Sequence, residues 1–182
     1  TAPVLFLDTE LLFPETLRYQ RELSAHLGLT DVRRLTPDRD TVFAADPDNL
    51  LHLSDPDACC ALRKTQPLSA ALHGFEAWIT GRKRFQSGTR AALDFFEVED
   101  FTGRIKVNPL AHWAPDDVRA YMEENNLPRH PLVAQGYPSI GGAPCTSKVE
   151  TGEDPRAGRW RDQDKDECGI HFVNGKLVRA GT

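Results

Sequence analysis

Cys168 stands in the run Lys165-Asp166-Glu167-Cys168-Gly169-Ile170-His171, downstream of Arg156, Arg159 and Arg161. Nearby positive charge lowers a thiol's pKa, and the thiolate is the nucleophilic form. Such a cysteine can attack a bound anion; the plain alternative is a solvated thiol in a loose tail. Cys59 and Cys60 are adjacent. Neighbouring cysteines rarely bond to each other because the ring is strained, but two thiolates one peptide step apart can both meet a metal. Two small residues packed in a helix would look the same. Cys145 follows Gly141-Gly142-Ala143-Pro144, a turn that can aim backbone N–H groups at sulfur. Iron–sulfur clusters want cysteines, usually four. Cys59, Cys60 and Cys145 make three, and Cys168 would be the fourth only if it were not the nucleophile.

Cations accompany the thiols. Lys64 lies one helical turn beyond Cys60, Arg82, Arg84 and Arg90 follow the Trp78 segment, and Arg156 and Arg159 flank Gly158. Guanidinium forks match phosphate and sulfate oxygens. Each alone also reads as a solvated cation or half of an ion pair. The chain as a whole is acidic, with a formal charge of -5 and a pI of about 5.7. That argues against nucleic-acid or membrane-surface binding and points the basic clusters at a small anion. No apolar run has the length of a membrane span and no signal-peptide pattern is present. Four cysteines in 182 residues are too few for a disulfide scaffold, so reduced thiols and a cytoplasmic location are expected.

The elements that must position these groups read as an α/β layer fold. Val4–Leu7 is a short apolar run suited to a parallel strand covered on both faces, and Asp8-Thr9 at its end lies where open α/β sheets bind ligands. A helix opens at Phe13-Pro14-Glu15-Thr16 and stops at Gly28; Val32–Leu35 is a second strand. Residues 36–57, rich in Asp and Pro, read as loop with one helical turn. A helix over 58–72 is interrupted by Pro67, and 75–80 reads as a buried strand. Segments 95–98 and 105–107 pair across Gly103, and a helix starts at Ala114-Pro115-Asp116-Asp117 with Val118, Tyr121 and Met122 on one face. Regularity fades after Pro128.

These residues together resemble a family. Glu167-Cys168-Gly169-Ile170-His171 resembles the Glu-Cys-Gly-Leu-His signature of the assimilatory sulfonucleotide reductases, which act on adenylyl sulfate (APS) or phosphoadenylyl sulfate (PAPS). Leu7-Asp8-Thr9 with Phe13–Thr16, Trp78–Arg82 through Arg90, Lys106–Leu110, and His130-Pro131-Leu132 through Cys145-Thr146 are similar too, in order along the chain. The resemblance implies an α/β fold of the PP-loop nucleotide-binding type. It implies a sulfonucleotide-binding domain over 1–160 and a tail, 161–182, that carries the nucleophile. It implies thioredoxin-dependent reduction of APS to sulfite and AMP through an S-sulfocysteine on Cys168. Lys64, Arg90, Arg156 and Arg159 match positions that hold the phosphosulfate; Arg82 and Arg84 match less well. Cys59-Cys60 and Cys145 match ligands of the [4Fe–4S] cluster of the APS branch, whereas the first cysteine of its later Cys-x-x-Cys falls on Gly142. PAPS as substrate, or a non-catalytic nucleotide- or metal-binding remnant, are the rival readings. Two further departures are Glu10, where the family often has Gly, and the Ser/Gly-rich phosphate loop, which these residues do not contain. The abrupt opening at Thr1 suggests a preceding part of the gene product, although removal of an initiator Met would also leave Thr first. The oligomeric state, a homo-oligomer included, stays open.

Overall fold

The computed structural model describes residues 2–161, 163, 165, 167 and 170. They divide into two compact units. The second holds Leu72–Pro128 with Lys165 and Glu167; the first holds the chain up to Ala71 and the rest from Arg129 onward.

In the first unit, β1 (Val4–Leu7) pairs in parallel with β2 (Val32–Leu35), Val4 opposite Val32 and Leu7 opposite Leu35. The connection is α1 (Pro14–His26). Pro14 opens it where a missing N–H costs nothing. Leu27 closes it by donating its N–H to Leu23 O at 2.9 Å, and Gly28 follows at φ 62°. The strand is less covered than its apolar run suggests: Val4 is 41% exposed and the other three residues are half-buried.

Residues 36–57 are more helical than their composition predicts. They hold α2 (Arg39–Ala45) and α3 (Leu51–Ser54), and α4 (Pro56–Cys60) begins in them. The aspartates that read as loop formers are caps: Asp38 accepts from Thr41 N, and Asp55 accepts from Asp57 N and Ala58 N. Next, α4 passes through a π-helical turn, Ala61–Thr65, into α5 (Gln66–Ala71). The wide turn precedes Pro67, which cannot donate to the ladder and sits in the first turn of α5. Beyond Arg129 the unit is irregular as expected, with only the 3-10 turns Val133–Gln135 and Ala143–Cys145 among the described residues.

The second unit is a three-stranded sheet in the order β3-β5-β4, formed by β3 (Ala77–Ile79), β4 (Phe96–Val98) and β5 (Ile105–Val107). β3 runs parallel to β5 and β4 antiparallel to it, with Gly103 at φ 66° in the turn between β4 and β5. Then α6 (Pro115–Glu124) starts with Asp117 accepting the Ala114 N–H at 2.7 Å. The segment over 75–80 is a strand but not a buried one. Ile79, Phe96 and Val98 are 70%, 69% and 68% exposed. Strand alternation turns Trp78, Glu97 and Lys106, paired across the register, to the opposite face, where charged side chains fill the interior. Among the described residues no helix is long and apolar enough to cross a membrane.

Candidate functional site

Cys59 and Cys60 end α4 and are buried, at 6% and 4% exposure. One turn on, Arg63 is buried in the same unit. Its Nη2 donates to Asp46 Oδ2 at 2.7 Å and to Asn49 Oδ1 at 2.8 Å, and its Nη1 donates to Thr9 O at 3.3 Å. Burial works to raise the Asp46 pKa, but Arg63 and the Leu51 N–H outweigh it and hold the carboxyl below its ordinary value. Arg63 thereby ties the helix of the cysteine pair to the loop that leaves β1.

That loop is tightly held. Asp8 Oδ1 accepts the Glu10 N–H at 2.9 Å, and Asp8 Oδ2 accepts from Arg34 Nε at 2.6 Å. With the Thr9 carbonyl engaged by Arg63, Glu10 takes φ 59°, the left-handed region that glycine enters most cheaply. The departure from glycine at residue 10 is therefore a strained backbone position.

Cys145 closes the turn Ala143–Cys145 and is half-buried. Its N–H donates to Gly142 O at 3.0 Å, and its carbonyl accepts the Trp160 N–H at 3.1 Å. The Ala143 N–H donates to Leu11 O at 2.7 Å, which docks this turn on the loop after β1. Burial pushes the Cys59 thiol up; Arg63 pulls it down, Cys145 adds to the rise, and Lys64 opposes it. Cys59, Cys145 and Lys64 thus share one electrostatic neighbourhood. Even so, among the described residues no three His, Cys, Asp or Glu side chains converge at metal-holding spacing. Gly142 is buried at the start of the turn with φ -63° and brings no donor. The residues present do not fit a four-cysteine cluster.

Arg159 is the cation best prepared for a ligand. Its guanidinium lies over the Trp160 ring, 4.4 Å from the centroid. The Nη1 donates to Ile140 O at a long 3.4 Å, and the buried Nε has no partner among the described residues. No carboxylate pairs with it among the described residues. A Cβ on Gly141 would lie 2.3 Å from Arg159 Nη2, so the glycine makes the room in which the guanidinium sits. Trp160 is 3% exposed and holds φ 48°, a second strained non-glycine position. Arg156 is half-buried in the preceding turn, where its N–H donates to Asp154 Oδ1 at 2.7 Å. A cleft of about 500 Å³ opens in this unit at the C-terminal end of β2, lined by Arg34, Thr36, Asp38, Thr41 and Gln66 among others.

Lys64, Arg156 and Arg159 fall in the first unit and Arg90 in the second. Arg90 Nη1 donates to Gln86 Oε1 at 2.5 Å, and its Nη2 donates to Glu167 Oε2 at 2.6 Å. Arg82 and Arg84 are already engaged. Arg82 pairs with Glu97 and donates to Asn108 Oδ1 at 3.1 Å; Arg84 donates to Leu93 O at 2.7 Å. Burial lowers the Arg82 pKa and Glu97 opposes that. Its job is in the interior of the second unit. Cys168 and His171 lie outside the described residues. Arg63, Gly141 and the cleft were not among the sequence candidates. Arg63 alone left a trace, as the residue three positions after Cys60 on the same helical face.

Parallel strands joined by helices, with thiols and an anion-ready arginine in the segments around them, define an α/β ligand-binding domain. The chain matches the phosphoadenosine phosphosulfate reductase domain over residues 1–148 and belongs to that family. It is 50% identical over 172 residues to an adenosine 5'-phosphosulfate reductase of Mesorhizobium japonicum, covering 94% of this chain and 67% of the relative. The structure resembles the phosphate complex of phosphoadenylyl-sulfate (PAPS) reductase from Candida auris, with a TM-score of 0.66 and 33% identity over 82% of this chain and 73% of that one. An FMN adenylyltransferase of Candida glabrata shares the fold at TM-score 0.60 and 17% identity, over 85% of this chain and 49% of its own.

Proposed function

We propose that this protein is an oxidoreductase that reduces adenylyl sulfate to sulfite and AMP in sulfate assimilation. The observation that carries the reading is Arg159, a guanidinium that has, among the described residues, a buried Nε without a partner and no carboxylate beside it. Such a group is left for an anion that the protein does not supply. The names of the relatives give that anion its identity, and the family signature around Cys168 gives it an acceptor.

Lys64, Arg90, Arg156 and Arg159 hold the phosphosulfate, and the cleft at the end of β2 takes the nucleoside. The Cys168 thiolate attacks the sulfo sulfur. The S–O bond to AMP breaks, its electron pair leaves on the phosphate oxygen, and Cys168 carries an S-sulfo group. The cations stabilise the charge that gathers on that oxygen. A thiolate of reduced thioredoxin then attacks the Cys168 sulfur and expels sulfite with the S–S bonding pair. The second thioredoxin thiol resolves the mixed disulfide, returning the Cys168 thiol and oxidised thioredoxin. A cytoplasmic location fits an enzyme whose nucleophile must stay a reduced thiol.

Mass spectrometry after addition of APS tests the reading. A sulfo-group mass gain on Cys168 that thioredoxin removes, and its loss in Cys168→Ser, are expected; turnover undiminished in Cys168→Ser overturns it. Preferential turnover of PAPS in competition would move the assignment to the other branch. Three thiols leave one iron of a four-iron cluster to be ligated from outside the cysteine set. Among the described residues a Cβ at Gly142 would meet Leu11 O at 3.5 Å and Pro144 Cδ at 3.9 Å, ordinary contact distances, so the backbone has room for one. After anaerobic preparation, Gly142→Cys is expected to bind more iron and sulfide per chain than the parent, with a stronger visible absorbance. Equal iron in both would show that three thiols suffice.

A further inference from the structure

The loop after β3 holds a carboxylate from far along the chain. Glu167 Oε2 accepts from Arg90 Nη2 at 2.6 Å, and Glu167 Oε1 accepts from Ser87 Oγ at 2.7 Å. Both oxygens are therefore engaged. The pair is mostly buried, with side-chain exposures of 13% for Arg90 and 16% for Glu167. Arg90 is itself braced by Gln86. Arg82 feels the charges of Glu97, Arg90 and Glu167, and Lys83 feels Arg90, so the Glu167 carboxylate lies in a charged part of the second unit. Glu97 engages Arg82 and Asn108 and lends its charge to Lys106. The site is a built seat for one acid, and the residue covalently next to that acid is Cys168.

We infer that Glu167 is a positioning residue: the Ser87–Arg90 clasp fixes the segment on which the nucleophile is carried. This rests on the reading of Cys168 as the sulfo acceptor. A segment that must deliver one sulfur first to the nucleotide and then to thioredoxin needs a contact that holds in the first half-reaction and releases in the second. A charge-assisted, two-pronged contact near the surface can do both. The clasp does not remove Arg90 from substrate binding, because a guanidinium has five N–H donors and Gln86 and Glu167 engage its two terminal nitrogens.

Single-turnover formation of the S-sulfo adduct separates this role from bulk stability. In Glu167→Ala the rate at saturating APS is expected to fall about tenfold or more, since misplacement of a reacting group is costly. The nucleotide concentration for half-saturation should stay within about twofold, and thioredoxin should remove sulfite from the preformed adduct no more slowly than in the parent. Glu167→Gln keeps one oxygen to accept from Arg90 and an amide N–H that can donate to Ser87 Oγ, and should recover part of the rate. Ser87→Ala added to Glu167→Ala should cost nothing further, as for two parts of one contact. An unchanged adduct rate in Glu167→Ala, or equal losses in both half-reactions, overturns the clasp. A second measurement needs no nucleotide: trypsin cleavage after Lys165 should be at least about fivefold faster in Glu167→Ala. Unchanged cleavage also overturns the clasp. Faster cleavage in a protein whose parent forms no adduct sustains the clasp and removes Cys168 as acceptor.

Discussion

Among the described residues each unit buries one arginine, and the two are put to different use. Arg63 in the first unit is 2% exposed, its partner Asp46 is 1% exposed, and its other donors reach Asn49 and the Thr9 carbonyl. It draws loops onto the helix of the cysteine pair and lends its field to Cys59. Arg82 in the second unit is 8% exposed but its partner Glu97 is 33% exposed, and its other contacts, Thr80 and Asn108, flank strands of one sheet. That arginine is the core of a sheet whose apolar side chains point outward. The first unit uses a buried ion pair to hold loops in place for chemistry; the second uses one where an apolar interior would ordinarily be.

The largest expected effect tests that difference directly. Arg63→Met strands the Asp46 carboxylate where water cannot reach it, so the loss should be about 3–5 kcal/mol. Removing both charges, Arg63→Met with Asp46→Leu, should cost less than Arg63→Met alone. Arg82→Met leaves a carboxylate that water already reaches, and its loss should be nearer about 1–3 kcal/mol. Urea unfolding midpoints of the variants check the order, and equal losses in the two units would break the comparison.

Backbone strain divides the same way. In the first unit Glu10, Asn49 and Trp160 hold φ 59°, 58° and 48°, two of them residues that avoid this region, whereas Asn126, a residue that tolerates it, is the one positive-φ non-glycine described in the second. The first of these follows the Thr9 carbonyl that Arg63 engages. Glu10→Gly should therefore stabilise the protein by about 1 kcal/mol, less the lost Arg39 contact. In an Arg63→Met background the gain should shrink. An unchanged gain would show that the strain does not come from the clamp.

What the sequence revealed follows from the range of the interactions involved. β1, α1, β2, the β4–β5 hairpin and α6 were legible because Pro14, Gly28, Gly103 and Pro115 punctuate the chain locally. The helix α2 and the start of α4 were hidden because Asp38 and Asp55 serve equally as loop formers and caps. Burial of the strands misled, since an apolar run says nothing about which face is covered: Ile79 and Phe96 face solvent while Lys106 is 5% exposed. The cysteines and Arg159 were legible by type. Arg63 was not, because its partners at Asp46, Asn49 and Thr9 lie 14 to 54 residues away. Gly141 gave no local sign either, its reason being a guanidinium that approaches from residue 159.

The smallest effect concerns pH and belongs to the first unit. The Leu132 N–H donates to His130 Nδ1 at 3.2 Å, so the ring proton is on Nε2, which donates to Thr16 Oγ1 at 3.0 Å. Tyr19 packs against the ring at 5.0 Å. Burial pulls the His130 pKa below its ordinary value, and Glu15 only partly opposes this. Between the folded value and the ordinary value of about 6.5, the unfolded chain binds a proton that the folded chain refuses. Stability from this group is complete above about pH 6.5 and is lost as the pH falls through the lower folded value. Carboxylates held below their ordinary values, Asp46 in the first unit and Glu99 in the second, lose their contributions only near pH 4 and below, outside this window. The urea midpoint of the parent should therefore drop between pH 7 and 5.5 more steeply than that of His130→Gln. Parallel slopes would mean that the imidazole accepts its proton in place, and the first unit would then be no more acid-sensitive through this residue than the second.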